Sequence, residues 1–271
     1  VYLYRLSLTL PDISSDPRAV ETAETTIVYA ADGSELARWH GEEDRTVVDI
    51  DELPESLKHA VVAIEDERFY AHNGVDFRAI TQALWGTGGT SGEGGSTITQ
   101  QLVKILFNDG ERTFTRKVRE ALLAYELEAR SAKDDVLEAY LNTVYFGHGA
   151  YGVERAARTY FGIGASELDL AQCATLAGAI RSPVRYSPID DPDAAVARRD
   201  IVLEKMRECG YIDDAQERDA RAVALETAPP PDAPESAPYF VESAKKERIE
   251  RPAADAVYRG TKPLTGADIA E

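Results

Sequence analysis

The stretch GGSTITQQLVK, residues 94–104, leads from two glycines directly into a hydroxyl-rich helix start. The first backbone N–H groups of such a helix have no helical partner and can bind an anion such as a diphosphate. Lys104 follows Thr97 by seven residues and falls near the same face of a helix predicted over 97–107. Ser or Thr at a helix start is also an ordinary N-cap. The stretch alone therefore leaves an anion site and a plain cap both open.

Upstream lies an acidic stretch, EDERFYAHNG, residues 65–74. It follows a predicted helical stripe formed by Leu57, Val61 and Ile64. Glu65 comes directly after this apolar face, where it can project into a cleft. Desolvation there raises the pKa of a carboxylate toward the range that suits a general base. The alternative is a solvated acidic helix end, which the three adjacent acids favour when they are taken alone.

Downstream, the stretch RTFTRKVRE, residues 112–120, holds four basic residues within eight positions of a strongly acidic chain. Lys117 and Glu120 are three residues apart and are therefore neighbours on one helix face. A cationic patch that binds a phosphate group and an ordinary surface ion pair are both consistent with this spacing.

Hydrophobic periodicity predicts the surrounding elements. Residues 24–50 alternate apolar and polar and predict a small β-hairpin, with strands at 26–29 and 46–50. A long helix is predicted from about 116 to 130. Its buried face is expected to carry Val118, Leu122 and Tyr125.

Three more helices are predicted towards the C-terminus. One covers 134–144, one opens with a capping box at 166–169 and runs through Ile180, and one covers 192–209. The first of them is expected to bury four side chains: Val136, Leu137, Tyr140 and Leu141. After Thr227 the chain becomes proline-rich, which is typical of a stiff linker.

Composition narrows the functional classes. The net charge of -18 disfavours a nucleic-acid binder, because such proteins neutralise phosphates with basic surfaces. An acidic surface is repelled by anionic lipid headgroups, so any membrane attachment is expected to depend on apolar anchoring. No stretch approaches the roughly 20 apolar residues that span a bilayer. Cys173 and Cys209 lie in predicted helices and are expected to be free thiols. The four histidines are scattered without the spacing of metal ligands.

Taken together, the acidic, glycine-rich and basic stretches resemble the first three motifs of glycosyltransferase family 51, the module of monofunctional peptidoglycan glycosyltransferases and class A penicillin-binding proteins. The fourth motif is similar to residues 138–153, EAYLNTVYFGHGAYGV. The fifth is similar to residues 176–178, LAG, with Pro183, Tyr186 and Pro188 after it. One departure is Ile105, where the family commonly has Asn.

The resemblance implies roles for particular residues. Glu65 would be the general base that deprotonates the sugar acceptor, and Glu120 would be the second glutamate, near the leaving group. A structural role for Glu120 stays open. Phe69 and His72 would shape the first motif rather than transfer protons. The remaining residues expected to bind substrate or its diphosphate are Asp66, Ser96, Thr97, Gln101, Lys104, Arg116 and Lys117.

The resemblance also implies partners and a location. The substrates would be lipid II, a lipid-linked disaccharide-pentapeptide, and a growing glycan strand on polyprenyl diphosphate. No cofactor is expected to be required, although a divalent cation (Mg²⁺ or Mn²⁺) near the diphosphate is possible. The protein would work on the extracytoplasmic face of a bacterial membrane, held by an N-terminal anchor absent from this chain, and would contact the membrane surface and other cell-wall synthesis proteins.

The fold implied is mainly α, two-lobed and lysozyme-like, with a short N-terminal β element. We expect a stub and β element over 1–50, the glycosyltransferase domain over 51–226, and a Pro-rich linker and truncated tail over 227–271. A transpeptidase domain is not expected in this chain. The 86–95 segment would be a mobile loop of the small lobe. Four apolar residues would face the membrane or simply belong to the core: Leu84, Trp85, Leu106 and Phe107.

Two other classes of function compete with this one. A lysozyme-like hydrolase also uses paired carboxylates in an α-rich fold, but hydrolysis gives no reason for the cationic stretch or the anion-ready helix start. A catalytically idle scaffold that binds cell-wall precursor is the second, and the presence of both glutamates argues against it.

Overall fold

The computed structural model describes the backbone of residues 26–29 and 35–39 and, with side chains, residues 47–78, 95–107 and 114–228, apart from the side chain of Phe114. These residues belong to two compact units, a strand pair and a helical unit. In the strand pair, β1 (Thr26–Tyr29) lies antiparallel to β2 (Glu35–Trp39). The first predicted strand is confirmed.

The second predicted strand, 46–50, is wrong, because its backbone is bonded elsewhere. The backbone N–H and C=O of Val48 both bond the side-chain amide of Asn142, at 3.0 and 2.8 Å. The N–H of Ile50 donates to Glu138 Oε2 at 2.8 Å. The chain then forms a 3₁₀ turn at Ile50–Glu52. Buried polar side chains of a helix thus form the backbone hydrogen bonds of a segment whose sequence pattern is typical of a strand.

The helical unit confirms the prediction of a mainly α fold. Among the described residues, its helices are α1 (Glu55–Glu65), α2 (Ile98–Leu106), α3 (Phe114–Glu128), α4 (Lys133–Thr143), α5 (Val153–Phe161), α6 (Leu170–Ile180), α7 (Pro192–Glu208) and α8 (Asp214–Ala222). Between α4 and α5, β3 (Tyr145–Gly147) pairs antiparallel with β4 (Ala150–Tyr151). No helix among the described residues is long and apolar enough to cross a membrane.

The helices pack in two groups around one hydrophobic core. In the first group, α1, α6 and α7 contact one another, and α6 contributes an almost continuously buried surface. In the second group, α2 packs against both α3 and α4. Leu57 and Val61 of α1 and Leu102 of α2 are fully buried in the shared core. The C-terminal end of α1 therefore lies where the two groups meet.

The starts of two helices show how capping sets the boundaries. Helix α2 begins after Thr97, whose hydroxyl accepts from the N–H of Gln100 while the Gln100 side chain accepts from the N–H of Thr97. This confirms the predicted start. Helix α6 is capped in the same way by Asp169 and Gln172. The capping box predicted at 166–169 is wrong by three residues, and 165–167 forms a 3₁₀ turn instead.

Helix α4 buries all four residues predicted for its inner face. Helix α3 does not follow its prediction, because Tyr125 is 59% exposed while Leu123, Ala124 and Leu127 are buried. Glu120 is buried on the same helix, so the inner face is partly polar. Val118 and Leu122 are half-buried, so the predicted inner face is wrong at Tyr125 and incomplete elsewhere.

Other predictions have different outcomes. Cys173 and Cys209 are free, as predicted. Leu106 and Phe107 are half-buried against the core, which supports the core alternative for these two residues. Leu84, Trp85 and the 86–94 part of the predicted loop lie outside the described residues.

Candidate active site

The centre of the candidate site is Glu65, the last residue of α1. Its Oε2 accepts a hydrogen bond of 2.8 Å from the side-chain amide of Gln101 on α2. Burial raises the pKa of Glu65, whereas the Gln101 hydrogen bond and the positive charges of Arg198 and Arg181 oppose that rise. The side chain nevertheless keeps some exposure to solvent. A carboxylate that is desolvated yet reachable is what a general base requires.

Gln101 connects Glu65 to a second buried side chain. The hydroxyl of Tyr140, on α4, donates to Gln101 Oε1 at 2.9 Å. Tyr140 is fully buried, and burial raises the pKa of its hydroxyl well above the usual value. The hydroxyl therefore stays protonated and able to donate.

Asp66, next along the chain, joins the acidic stretch to the start of α2. Its carboxylate lies 2.9 and 3.0 Å from His72 Nε2 and accepts from the N–H of Ile98 at 3.1 Å. The Thr97 hydroxyl, besides capping α2, donates to the carbonyl of Gly74 at 2.6 Å. Protein groups therefore already use three N–H groups of the predicted anion site, those of Thr97, Ile98 and Gln100, and both bonding roles of the Thr97 hydroxyl.

The cationic part of the site is organised by Glu120. Lys117 Nζ lies 2.9 Å from Glu120 Oε2 and 2.9 Å from the hydroxyl of Ser96, just before α2. Arg116 Nε lies 3.3 Å from the other carboxylate oxygen of Glu120. Glu120 is buried, but half of the Lys117 side chain is exposed. The amine is thus both held in place and accessible.

Gly74 determines how closely the acidic stretch approaches α3. Its φ is +74°, and a Cβ at this position would lie 2.4 Å from the carbonyl oxygen of Ala124. Any other residue would have to displace helix backbone. The segment that follows Glu65 and Asp66 therefore contacts, backbone to backbone, the helix that carries Lys117 and Glu120.

The predicted residues do not all converge. Helix α2 and the two residues before it connect the two functional parts, since Gln101 contacts Glu65 and Ser96 contacts Lys117. Lys104 lies exposed in the last turn of α2, about 10 Å along the helix axis from Thr97. Phe69 is fully buried, with Lys133 Nζ 4.3 Å from its ring centroid, so it supports the site from within the core.

Three residues near Glu65 are not among the site residues that the sequence predicts: Tyr140, Arg181 and Arg198. Tyr140 stands within the fourth motif and was predicted only as a core residue. The two arginines lie on or next to α6 and α7, more than 100 residues after Glu65. Arg198 is buried, and Gly178 on α6 leaves room for it, because a Cβ there would lie 2.9 Å from Arg198 Cγ. That glycine, in the fifth motif, is the signal that could have pointed to the arginine.

The residues around Glu120 do not form a metal site by themselves. Both carboxylate oxygens face cations, Lys117 and Arg116, whereas a Mg²⁺ site needs oxygen ligands in near-octahedral geometry. Among the described residues, no group of three or more His, Cys, Asp or Glu side chains is arranged to hold a metal ion. A divalent cation here would depend on a bound diphosphate and water for most of its ligands.

The sequence also matches a known protein family. The family model described as transglycosylase matches residues 32–207, and the chain therefore belongs to the transglycosylase family. The matched span includes all the motifs that form the site.

The relatives are larger proteins. Penicillin-binding protein 1A/1B of Bacillus subtilis (strain 168) is 44% identical over 215 residues, covering 78% of this chain and 23% of the relative. Penicillin-binding protein 1A of Escherichia coli (strain K12) is 40% identical over 255 residues, covering 92% and 30%. The chain thus spans between 23% and 30% of the length of these two relatives.

A solved structure shows the same fold. The crystal structure of penicillin-binding protein 1A from Haemophilus influenzae aligns with a TM-score of 0.54 at 23% identity. The alignment covers 86% of this chain and 25% of that one. The likeness supports the fold assignment alone.

Proposed function

We propose that this chain is a peptidoglycan glycosyltransferase module, which polymerises lipid II into β-1,4 glycan strands with inversion and with release of polyprenyl diphosphate. One observation carries the proposal. A partly accessible, desolvated glutamate and a half-exposed lysine contact one short stretch of chain, residues 96–101 at the start of α2: Glu65 contacts Gln101 and Lys117 contacts Ser96. Base and cation are thereby held on one support, as glycosyl transfer between two lipid-linked sugars requires.

Glu65 accepts the proton of the acceptor's 4-hydroxyl. The hydroxyl oxygen forms a bond to the donor's anomeric carbon, and the bond from that carbon to the diphosphate oxygen breaks. The proton passes from Glu65 to solvent before the next cycle. A sugar hydroxyl is a poor nucleophile at neutral pH, and a positioned base typically contributes about 10²–10⁴-fold.

The departing diphosphate gains negative charge, which preorganised cations stabilise. Lys117 is the best placed donor, because Glu120 and Ser96 fix its amine while half of the side chain stays exposed. Arg116, held by Glu120, supplies further positive charge beside Lys117, whereas Lys104 lies in the last turn of α2, away from the helix start. Glu120 acts by holding the two basic residues. A Mg²⁺ or Mn²⁺ ion would add to this charge only through ligands that the diphosphate supplies, so no step here depends on it.

The location and partners belong to the same proposal. The substrates carry polyprenyl chains, so the module works at a membrane surface, on the extracytoplasmic side where glycan strands are assembled. Other cell-wall synthesis proteins are its expected partners. The domain limits 51–226, and the linker after them, stay predictions.

The test is to incubate the purified protein with lipid II and to measure product length. We expect glycan strands longer than the disaccharide, together with released polyprenyl diphosphate. Shortening of preformed strands would instead establish the hydrolase alternative. Binding of lipid II without any product would establish the scaffold alternative and overturn the proposal.

A further inference from the structure

Among the residues that the structure describes, the hydrogen-bond donor to the Glu65 side chain is the Gln101 amide, which has two possible orientations. A side-chain amide can present either its NH₂ group or its carbonyl to a neighbour. In the structure the NH₂ of Gln101 faces Glu65, and the carbonyl faces Tyr140. An ionised carboxylate only accepts hydrogen bonds, so the other orientation would place two acceptors against each other.

We propose that Tyr140 is a positioning residue for the base: its hydroxyl holds the Gln101 side-chain amide in the orientation that donates to Glu65. This inference rests on the function proposed above and extends it to a residue that does not itself touch the substrate.

The direction of the hydrogen bonds supports this role. The Tyr140 hydroxyl carries one hydrogen, and here it is given to Gln101 Oε1. If Gln101 turned over, its NH₂ would face the hydroxyl oxygen, and the hydroxyl hydrogen would lose this acceptor in a fully buried place. A buried donor without a partner is costly. Tyr140 thus favours the amide orientation that stabilises ionised Glu65.

The other charged groups around Glu65 do not depend on this hydroxyl. Arg198 on α7 and Arg181 at the end of α6 favour the ionised form, and neighbouring Asp66 opposes it. The carboxylate of Asp66 is itself bonded by His72 and by the N–H of Ile98. Removing the Tyr140 hydroxyl should therefore change only the hydrogen bonds that run from Tyr140 through Gln101 to Glu65. The surrounding charges should stay in place.

The experiment compares the pH dependence of kcat for the parent, Tyr140→Phe and Tyr160→Phe, with lipid II as substrate. Phenylalanine keeps the ring and removes only the hydroxyl. In Tyr140→Phe we expect the acid limb to move to higher pH by about 0.5–1 unit. On that limb kcat falls by about 3–10-fold, and it approaches the parental value in alkaline solution.

Tyr160 is the matched control, because it is also fully buried and its hydroxyl donates to the carbonyl of Phe146 at 2.8 Å. Tyr160→Phe should keep the parental profile. An equal shift in both variants would overturn the proposal, because a general loss of packing would then explain the result. No shift in Tyr140→Phe would overturn it as well, because the hydroxyl would then have no influence on the base.

A double-mutant cycle tests whether Tyr140 acts through Gln101. Gln101→Met should move the acid limb in the same direction, and adding Tyr140→Phe should move it no further. If the shifts of the acid limb in the two single variants added up in the double variant, Tyr140 would not act through Gln101. Gln101→Met also tests the inference by itself if Tyr140→Phe does not fold, because an unmoved limb would show that the amide does not influence the base.

A direct titration of Glu65, followed by NMR of ¹³C-labelled glutamate, separates this inference from the proposed function. If the parent makes no glycan, the proposed function fails, but the titration still reports whether Tyr140→Phe raises the pKa of Glu65. If the parent polymerises lipid II and the titration is unchanged in the variant, only the present inference fails.

Discussion

Glu65 and Glu120 are the same residue type in one domain, yet their surroundings differ in kind. Glu65 accepts from a neutral amide and keeps some exposure, with its arginine neighbours acting through space. Glu120 is buried in direct contact with two basic side chains, Lys117 and Arg116. The first environment keeps a carboxylate available for a proton, whereas the second uses its charge to hold cations. The neighbouring side chains, and not the residue type, therefore distinguish a glutamate suited to act as a base from one that holds cations in place.

The largest effect should follow from removing the base. Glu65→Gln keeps the size of the side chain but cannot take a proton, so kcat should fall by about 10²–10⁴-fold. The measurement is the initial rate of lipid II polymerisation, with unchanged circular dichroism as the folding control. A variant that polymerises at the parental rate would show that Glu65 is not the base.

The next effect tests the cationic side of the comparison. Lys117→Ala removes the amine that Glu120 and Ser96 hold, and kcat should fall by about 10²-fold, as for loss of one charge-stabilising donor. Lys205→Ala is the matched control, because Lys205 forms the same three-residue-spaced ion pair with Glu208 on α7, at 3.1 Å. Equal rates in the two lysine variants would remove Lys117 from the proposed mechanism.

The two glutamates should also differ in the sign of their effect on stability. Because folding raises the pKa of Glu65, this group favours folding less as pH rises through the range between its unfolded and folded pKa values. Above that range the cost of burying its charge is fully present, so Glu65→Gln should there raise the free energy of unfolding by about 0.5–2 kcal/mol. The gain should shrink as pH falls through that range.

Glu120→Gln should instead lower the free energy of unfolding by about 1–3 kcal/mol, because Lys117 and Arg116 lose a charged partner. Urea denaturation at pH 7.5 and pH 5 measures both variants. Effects of the same sign at pH 7.5 would contradict the distinction drawn between the two environments.

The smallest effects should come from the two capping boxes. Asp169→Ala and Thr97→Ala each remove a cap and should each cost about 1 kcal/mol of stability. Only Thr97→Ala should also reduce kcat, because Thr97 lies between Ser96 and Gln101 and binds Gly74. Thermal unfolding and polymerisation rates of both variants check this. Equal loss of kcat in Asp169→Ala would mean that the site responds to stability in general.

Local patterns were sufficient where one signal dominated. The spacing of Val136, Leu137, Tyr140 and Leu141 predicted both α4 and its buried face. Local patterns gave wrong predictions where two possible signals had the same form, as at the start of α6. Ser166 and Asp169 each stand three residues before a polar partner, and packing, which the pattern does not contain, selected Asp169. In α3 a buried glutamate, Glu120, shares the inner face, so apolar periodicity wrongly placed Tyr125 on that face.

The candidate site shows the same division. The sequence motifs named Glu65, Gln101, Ser96 and Lys117, and the structure connects these residues through α2. The motifs did not assign a role in the site to Tyr140 or Arg198, because their closeness to Glu65 depends on how α4 and α7 pack against other helices. Such long-range packing is not encoded in any local spacing.

Gly74 has a further consequence for inhibitor design. The carbonyl of Ala124 leaves no room for a side chain at position 74, so rigid main chain fixes the offset between the acidic segment and α3. Flexible side chains do not determine this offset. If the proposed function holds, a compound that mimics both the sugar and its phosphate tail would meet a spacing that the protein cannot readily adjust. A substitution of Gly74 that conferred resistance would therefore also displace the backbone of α3.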